Sequence, residues 1–141
     1  MACFHIYSVY TGYLPVVDTA TVVRGLFEEA QREVIIASYV FHNAKELLAP
    51  LASKMDADEQ FKVQIVVDLS HARTRVDEPL PVVAGRFKTK FLAEYWQANR
   101  PPEFWHDPRV FEMADRTKAG VMHAKVVIID HAAALVTSAN F

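Results

Sequence analysis

The sequence predicts an α/β protein built on a mixed, largely parallel sheet that is flanked by helices. Three mainly apolar runs rich in β-branched residues, at 34–41, 63–69 and 125–130, are typical of strands that are buried on both faces. Amphipathic patterns of helical period lie between these runs. Because strand, helix and strand alternate along the chain, the first two strands are expected to be parallel and joined by a right-handed crossover.

Two helices are predicted around the first apolar run. Asp18 or Thr19 is expected to cap the first helix, which runs to about Arg32. Asn43 is expected to cap the second helix, in which Pro50 predicts a kink or an early end.

The remaining segments carry weaker patterns. Residues 1–17 are predicted to form an edge strand or an irregular lead-in, and residues 70–85, with their prolines and basic side chains, to form a loop. Residues 87–99 have the apolar stripe of an amphipathic helix, and residues 109–113 are expected to form a short strand.

The pattern with the clearest chemical meaning lies near the C-terminal end. His123, Lys125, Asp130, Ser138 and Asn140 follow the template H-x-K-x4-D, then seven residues, then S-x-N. With residue frequencies near 5%, five fixed positions match by chance at roughly one in several million starting points. The apolar segments on either side of the turn after Asp130 predict a β-hairpin. Residues two apart on a strand share a face, so the hairpin is expected to bring the polar groups together at one end.

This pattern resembles the HKD signature of the phospholipase D superfamily, whose members break phosphodiester bonds through a covalent phosphohistidine without a metal. The resemblance implies that His123 is the nucleophile and that Lys125 and Asn140 bind the phosphate. It also implies that Asp130 mostly supports the local structure and that Ser138 forms hydrogen bonds near the site. These residue types suit the chemistry, because a neutral imidazole can attack phosphorus and an ammonium can hold the charged oxygens.

The resemblance covers residues 18–141 and implies a phospholipase-D-like half-domain. In one departure from the pattern, Thr137 occupies the position before the serine where many members have glycine. Within the superfamily, the segments 10–12, 29–33 and 134–141 are similar to the phospholipase-D-like component of the DISARM antiphage system. This similarity implies a role in antiviral defence.

The chain contains one HKD motif, and the sequence stops one residue after Asn140. We expect residues 1–141 to be a single phospholipase-D-like domain, either truncated just after the motif or completed by a partner subunit. Phosphoryl transfer needs a second group to protonate the leaving oxygen. The resemblance therefore implies a homodimer or a second HKD half, since a two-fold axis places identical motifs face to face.

The composition is that of a globular protein and excludes several classes. The 141 residues are 52% apolar and 23% charged, and the net charge of −2 excludes a basic nucleic-acid binder of the histone kind. The single cysteine, Cys3, excludes a disulfide framework and a cysteine-rich zinc site. No signal peptide or transmembrane run is evident, which favours a cytoplasmic location. The sequence predicts no cofactor and no metal.

Three functions remain open on the sequence alone. A nucleic-acid phosphodiesterase is favoured by a group of basic residues that would contact a phosphate backbone. These are Arg73, Arg75, Arg86, Lys88 and Lys90. The alternatives are a phospholipase or phosphatidyl transferase, and an inactive phospholipase-D-like subunit that serves binding or interaction.

Overall fold

The computed structural model describes residues 5–8, 18–75, 77–111 and 122–138, and within them a six-stranded mixed sheet forms the centre of the protein. The strands are β1 (His5–Ser8), β2 (Glu33–Ser38), β3 (Lys62–Val67), β4 (Glu103–His106), β5 (Lys125–Ile129) and β6 (Ala133–Val136). Their order across the sheet is β1-β6-β5-β2-β3-β4. Strands β2, β3 and β4 run parallel, β1 is parallel to β6, and β5 is antiparallel to both of its neighbours. The predicted mixed, largely parallel sheet is confirmed.

Three helices flank the sheet, α1 (Thr19–Glu29), α2 (Lys45–Ala57) and α3 (Leu80–Tyr95). Short 3-10 turns occupy Ser70–Ala72 and Pro108–Phe111. Helices and strands share one apolar core, because large side chains from each of the three helices and from four strands are fully buried together. These include Val23, Phe27, Ile36, Leu48, Leu51, Ile65, Val83, Phe91, Val127 and Leu135.

Burial alternates along the central strands. In β2, β3 and β5 every second residue is buried, and most of the residues between them are half-buried. The prediction that these strands are buried on both faces therefore holds fully for one face and only in part for the other. One face packs into the core completely, whereas the other face is covered only in part.

The boundaries of the first two helices differ in part from the sequence pattern. Asp18 caps α1 as predicted, since its carboxylate accepts the N–H groups of Ala20 and Thr21 at 3.4 and 3.3 Å. Asn43 does not cap α2, because its φ is 51° and Ala44 is the capping residue, without a side-chain bond. Pro50 lies inside α2 without ending it.

The burial around Pro50 explains why α2 continues. An interior proline costs about 3 kcal/mol through the lost hydrogen bond and the clash of its ring. Leu48, Leu51 and Met55 lie on both sides of it and are 1%, 0% and 4% exposed. Their burial offsets this cost, because each large apolar side chain contributes roughly 1.5–3 kcal/mol.

Two segments of the C-terminal half were assigned incorrectly from the pattern. Helix α3 begins at Leu80, seven residues earlier than predicted, because Pro79 and Pro81 lie at its first turn, where proline loses no intrahelical bond. The strand expected at 109–113 lies earlier, at Glu103–His106, where it pairs with β3. Pro108–Phe111 is a 3-10 turn, and residues 112–113 lie outside the described ranges.

The predicted hairpin is formed by β5 and β6, with Ile129 opposite Ala133 and Val126 opposite Val136. Asp130 and His131 occupy its turn with φ values of 52° and 53°. Positive φ at two successive positions gives the turn the twist that an antiparallel hairpin needs. The hairpin therefore has a closed end at these two residues and an open end at Lys125.

Candidate functional site

The open end of the hairpin carries the first two motif residues. His123 precedes β5 and is exposed, whereas Lys125 begins β5 and is only 4% exposed. The Lys125 Nζ lies 3.3 Å from both ring nitrogens of His123 and 3.4 Å from its carbonyl oxygen. An ammonium can only donate, so a ring nitrogen of His123 can take part in this contact only as the acceptor. The pair therefore presents an imidazole beside a fixed positive charge.

Tyr39 packs against both of these side chains and was missed by the sequence analysis. Its ring centroid lies 4.7 Å from that of His123, and the Lys125 Nζ lies 5.7 Å from the same centroid. Ser38 lies at the end of β2, and its hydroxyl donates to the carbonyl of Val40 at 2.9 Å. This hydrogen bond joins the two residues on either side of Tyr39. Tyr39 reaches the site because β2 is antiparallel to β5, which places the end of β2 beside the start of β5.

Asp68 fixes the segment that leads into His123. Its side chain is 3% exposed and follows β3. One carboxylate oxygen accepts the N–H of Ser70 at 2.7 Å, and the other accepts the N–H of Met122 at 3.0 Å. The backbone immediately before His123 is thereby tied to the end of a central strand. Sequence analysis missed Asp68 as well, although a carboxylate directly after a buried strand was a usable signal.

The end of β6 returns to the same place. The N–H of Thr137 donates to the carbonyl of Lys125 at 3.0 Å. Ser138 follows it and is exposed. The open end of the hairpin thus brings His123, Lys125 and the Ser138 segment together. Asn140, the fifth predicted site residue, lies outside the described residues.

Asp130 lies at the closed end of the hairpin, away from this group. Its carboxylate accepts the backbone N–H groups of Gln31, Arg32 and Glu33 at 2.7, 2.7 and 2.9 Å. Partial burial acts to raise the pKa of Asp130, but the N–H groups of Glu33, Gln31 and Arg32 outweigh it and hold that pKa below its ordinary value. Asp130 therefore joins the start of β2 to the hairpin turn.

His131, the other histidine of the hairpin, also faces β2. Its Nε2 contacts a carboxylate oxygen of Glu33, and the His131 side chain is 71% exposed. This histidine lies at the opposite end of β5 from His123, and its charge partner is an acid rather than a lysine.

The loop arginines that were predicted to bind substrate have local partners. Arg75 forms an exposed ion pair with Asp77 at 2.9 Å. The Arg73 Nε donates to the carbonyl of Arg75 at 3.0 Å. These contacts hold both arginines in the loop before α3.

Two of the three basic residues of α3, Arg86 and Lys90, lie beside acidic side chains. Arg86 binds both oxygens of Glu78, and this hydrogen bond, followed by the one from the backbone N–H of Thr74, lowers the pKa of Glu78 to about 2. Lys90 lies 3.9 Å from Glu94, one helical turn further on. The positive character of this region is therefore much smaller than the sequence indicates.

A cleft of about 390 Å³ opens beside Tyr39. Its aromatic lining consists of Tyr39, Phe41, Phe87, Phe91 and Tyr95. Its polar lining consists of Asp68, His71, Thr74, Arg86, Lys90 and Glu94. Because Tyr39 contacts His123 on one side and lines the cleft on the other, the cleft adjoins the open end of the hairpin.

The described part of the chain shows neither a metal-binding cluster nor a membrane-spanning helix. Within residues 5–8, 18–75, 77–111 and 122–138, no three His, Cys, Asp or Glu side chains cluster in a way that would hold a metal ion. None of the helices in those ranges combines the length and the apolar character needed to cross a bilayer.

Comparison with known proteins agrees with the fold. A family model described as "Cardiolipin synthase, PLD-like domain" matches residues 23–141. No curated protein matches the chain. The family match begins within α1, at Val23, and extends through the helices and strands that follow to the hairpin that carries His123 and Lys125. The chain therefore belongs to the phospholipase D superfamily and contains its phospholipase-D-like domain.

Proposed function

We propose that this protein is a phosphodiesterase in which His123 is the nucleophile and Lys125 binds the phosphate. The observation that carries the proposal is the contact of 3.3 Å between the Lys125 Nζ and both ring nitrogens of His123. A buried ammonium beside an imidazole supplies the two things that phosphoryl transfer needs. These are a nucleophile with a free lone pair and a fixed charge for the non-bridging oxygens.

The reaction proceeds in two steps. A ring nitrogen of His123 attacks phosphorus, the new P–N bond forms, and the P–O bond to the leaving alcohol breaks as a general acid gives that oxygen a proton. A water molecule then attacks the phosphohistidine, gives its proton to the group that acted as the general acid in the first step, breaks the P–N bond and releases the phosphomonoester. Lys125 stabilises the equatorial oxygens in both steps, and Asn140 is proposed to share this role.

The general acid comes from a second HKD half. His123 cannot attack and protonate the leaving group in the same step, so a second histidine is needed. We propose that a homodimer or a partner with its own HKD motif supplies it. A two-fold axis through the open end of the hairpin would present the same residues from both sides. Ser138 is proposed to form hydrogen bonds at this end, and Asp130 to hold the hairpin in place.

Nucleic acid is the proposed substrate, and antiphage defence in the cytoplasm is the proposed setting. The aromatic cleft and the positive charges of Arg73 and Arg75 support a nucleotide substrate, with the charge of Arg75 shared with Asp77. A phospholipase or phosphatidyl transferase is the second candidate. It is favoured by the description of the matching family model, which names cardiolipin synthase.

Hydrolysis of bis(p-nitrophenyl) phosphate tests the proposal. We expect turnover that persists in excess EDTA and that rises faster than linearly with protein concentration in the range where the protein dimerises. Lys125→Met keeps the buried stem but removes the charge, and should lower kcat/KM about 100- to 1000-fold. Lys62→Met is the matched control, since Lys62 also begins a strand but is exposed. Loss of turnover on chelation, restored by magnesium, would contradict the mechanism.

A further inference from the structure

The cleft beside Tyr39 has no role in the two-step mechanism, yet it adjoins the reacting groups. Its volume of about 390 Å³ lies in the range of about 300–1,000 Å³ that is typical of small-molecule sites. Tyr39 forms part of its wall, and the Tyr39 ring centroid is 4.7 Å from that of His123. A group bound in the cleft would therefore contact the same Tyr39 side chain that packs against His123.

The aromatic wall of the cleft is held in place by its own packing. Phe91 lies 5.1 Å from Phe41, 5.9 Å from Phe87 and 5.5 Å from Tyr95 between ring centroids. Phe91 and Phe41 are 2% and 8% exposed, so they belong to the core as well as to the cleft. Rings that are already fixed lose little conformational entropy when a ligand binds, which favours a planar aromatic ligand that stacks on them.

The charges of the cleft favour a neutral occupant over a phosphate. Arg86 is paired with Glu78, and Lys90 lies near Glu94, so both cations of the lining have an acidic neighbour. By contrast, the Lys125 ammonium lies outside the cleft and, within the part of the chain that the structure describes, forms hydrogen-bond contacts with the imidazole and the backbone carbonyl of His123 rather than with a carboxylate. The phosphate of a ligand would therefore lie at Lys125, and the uncharged part would lie in the cleft.

The polar groups of the lining distinguish a nucleobase from an alkyl chain. His71, Thr74 and Glu94 line the cleft together with the aromatic rings. An alkyl chain would cut these exposed groups off from water without giving them hydrogen bonds in return, which costs free energy. A nucleobase has an apolar face for the rings and a hydrogen-bonding edge for the polar side chains.

We propose that this cleft is a subsite for the nucleobase of a nucleotide unit whose phosphate is held by Lys125 and attacked by His123. The inference deepens the proposed phosphodiesterase function and rests on it. It places the nucleobase of the substrate in one cavity. Tyr39 would then contact both the bound base and the histidine that attacks the phosphate.

Filling the cleft tests this assignment without touching the reacting residues. Ala72 lines the cleft, so Ala72→Trp should block it, whereas Ala93→Trp places the same bulk at an exposed position of α3 outside the lining. The substrates are thymidine 5′-(p-nitrophenyl phosphate) and methyl p-nitrophenyl phosphate, which share a leaving group. Base stacking worth roughly 1–3 kcal/mol predicts that the wild-type kcat/KM is about tenfold or more higher for the thymidine ester.

The expected result is that Ala72→Trp removes the preference for the thymidine ester and leaves methyl ester turnover within about twofold. Ala93→Trp should keep the preference. Equal turnover of the two esters by the wild-type protein, or an undiminished preference in Ala72→Trp, would overturn the assignment. Thr74→Trp, at an exposed residue of the cleft rim, serves if Ala72→Trp does not fold.

A binding measurement, which needs no turnover, tests the nucleobase subsite separately from the proposed phosphodiesterase activity. Titration calorimetry with thymidine 5′-monophosphate, inorganic phosphate and dihexanoyl phosphatidate should give the tightest binding for the nucleotide, weakened about tenfold by Ala72→Trp. That result without any diester turnover would sink the phosphodiesterase and keep the subsite. Tightest binding of the phosphatidate, or nucleotide binding that Ala72→Trp leaves unchanged, would refute the nucleobase assignment.

Discussion

The two ends of the β5–β6 hairpin each carry a histidine beside a charged side chain, but the surroundings of the two histidines are opposite. At the open end, His123 contacts the ammonium of Lys125 and the ring of Tyr39. At the closed end, His131 contacts the carboxylate of Glu33. The ammonium beside His123 can hold the charged oxygens of a phosphate, whereas the carboxylate beside His131 would repel them.

The charged residues next to these histidines differ in the same way. Asp130 at the closed end accepts three backbone N–H groups, so its oxygens are already occupied. The Lys125 Nζ at the open end has contacts of 3.3 to 3.4 Å, which are long for charge-assisted bonds and leave room for a phosphate to compete. Lys125 and Asp130 belong to one sequence motif but lie at opposite ends of the hairpin. The open end is therefore the proposed reactive end, and the closed end is the structural end.

The largest expected effect separates the two histidines. His123→Ala removes the proposed nucleophile and should lower kcat by about 10³-fold or more, because covalent catalysis cannot proceed without it. His131→Ala should change kcat less than about twofold and stability by less than about 1 kcal/mol, since the His131 side chain is 71% exposed. Diester kinetics and urea unfolding of both variants provide the comparison. If both variants stay folded and lose activity equally, the assignment of the open end of the hairpin as the reactive end is wrong.

The second effect concerns the structural end. Asp130→Asn removes the charge and turns an amide donor toward backbone N–H groups, which should destabilise the fold by about 1.5–3 kcal/mol. Activity per folded molecule should be unchanged. The control is Asp58→Asn, because Asp58 is exposed and accepts the N–H of Gln60, a bond within its own turn. A change in kcat with unchanged unfolding free energy would instead place Asp130 at the reactive end.

The pH dependence of stability should follow from the same carboxylate. The folded-state pKa of Asp130 lies below its ordinary value of 3.8, so its stabilisation is present above that value and is lost as the pH falls through the folded pKa. The difference in unfolding free energy between the wild-type protein and Asp130→Asn should therefore be constant from about pH 5 to 7 and shrink below about pH 4. Urea titrations at pH 6 and pH 3 measure it. A difference that grows on acidification would contradict this sign.

The smallest effect concerns Tyr39. Its ring packs on His123 and Lys125, and a contact of this kind is worth about 1 kcal/mol, so Tyr39→Leu should lower kcat/KM about five- to tenfold. Tyr39→Phe keeps the ring and should stay within about twofold. A loss in Tyr39→Phe as large as that in Tyr39→Leu would show that the hydroxyl matters rather than the ring.

The elements predicted well were those that depend on local patterns. The apolar runs of β2, β3 and β5 required burial, so the strands and their helical connections followed from sequence alone. The hairpin turn at Asp130 and His131 and the cap at Asp18 are likewise local. Predictions failed at Asn43 and at the start of α3. At Asn43 the backbone adopts a positive φ that is not suited to a helix cap. At the start of α3 the prolines lie in the first helical turn, where proline is well tolerated.

The composition of the site was less predictable, because it depends on which strands pair. A periodic pattern does not specify a strand's neighbour. Tyr39 reaches His123 only because β2 pairs antiparallel with β5, and Asp68 reaches Met122 across 54 residues of sequence. The ion pairs that neutralise Arg75 and its neighbours were also hidden, since side-chain partners follow from the folded loop rather than from composition.

Trapping the covalent intermediate tests the difference between the two hairpin ends most directly. The protein should be mixed with bis(p-nitrophenyl) phosphate, quenched in alkali, where a phosphohistidine survives, digested and analysed by mass spectrometry. We predict a phosphoryl adduct on His123, absent from His123→Ala and retained in His131→Ala. An adduct on His131, or turnover by the wild-type protein with no adduct at His123 under conditions that preserve phosphohistidine, would contradict the assignment of the open end as the reactive end.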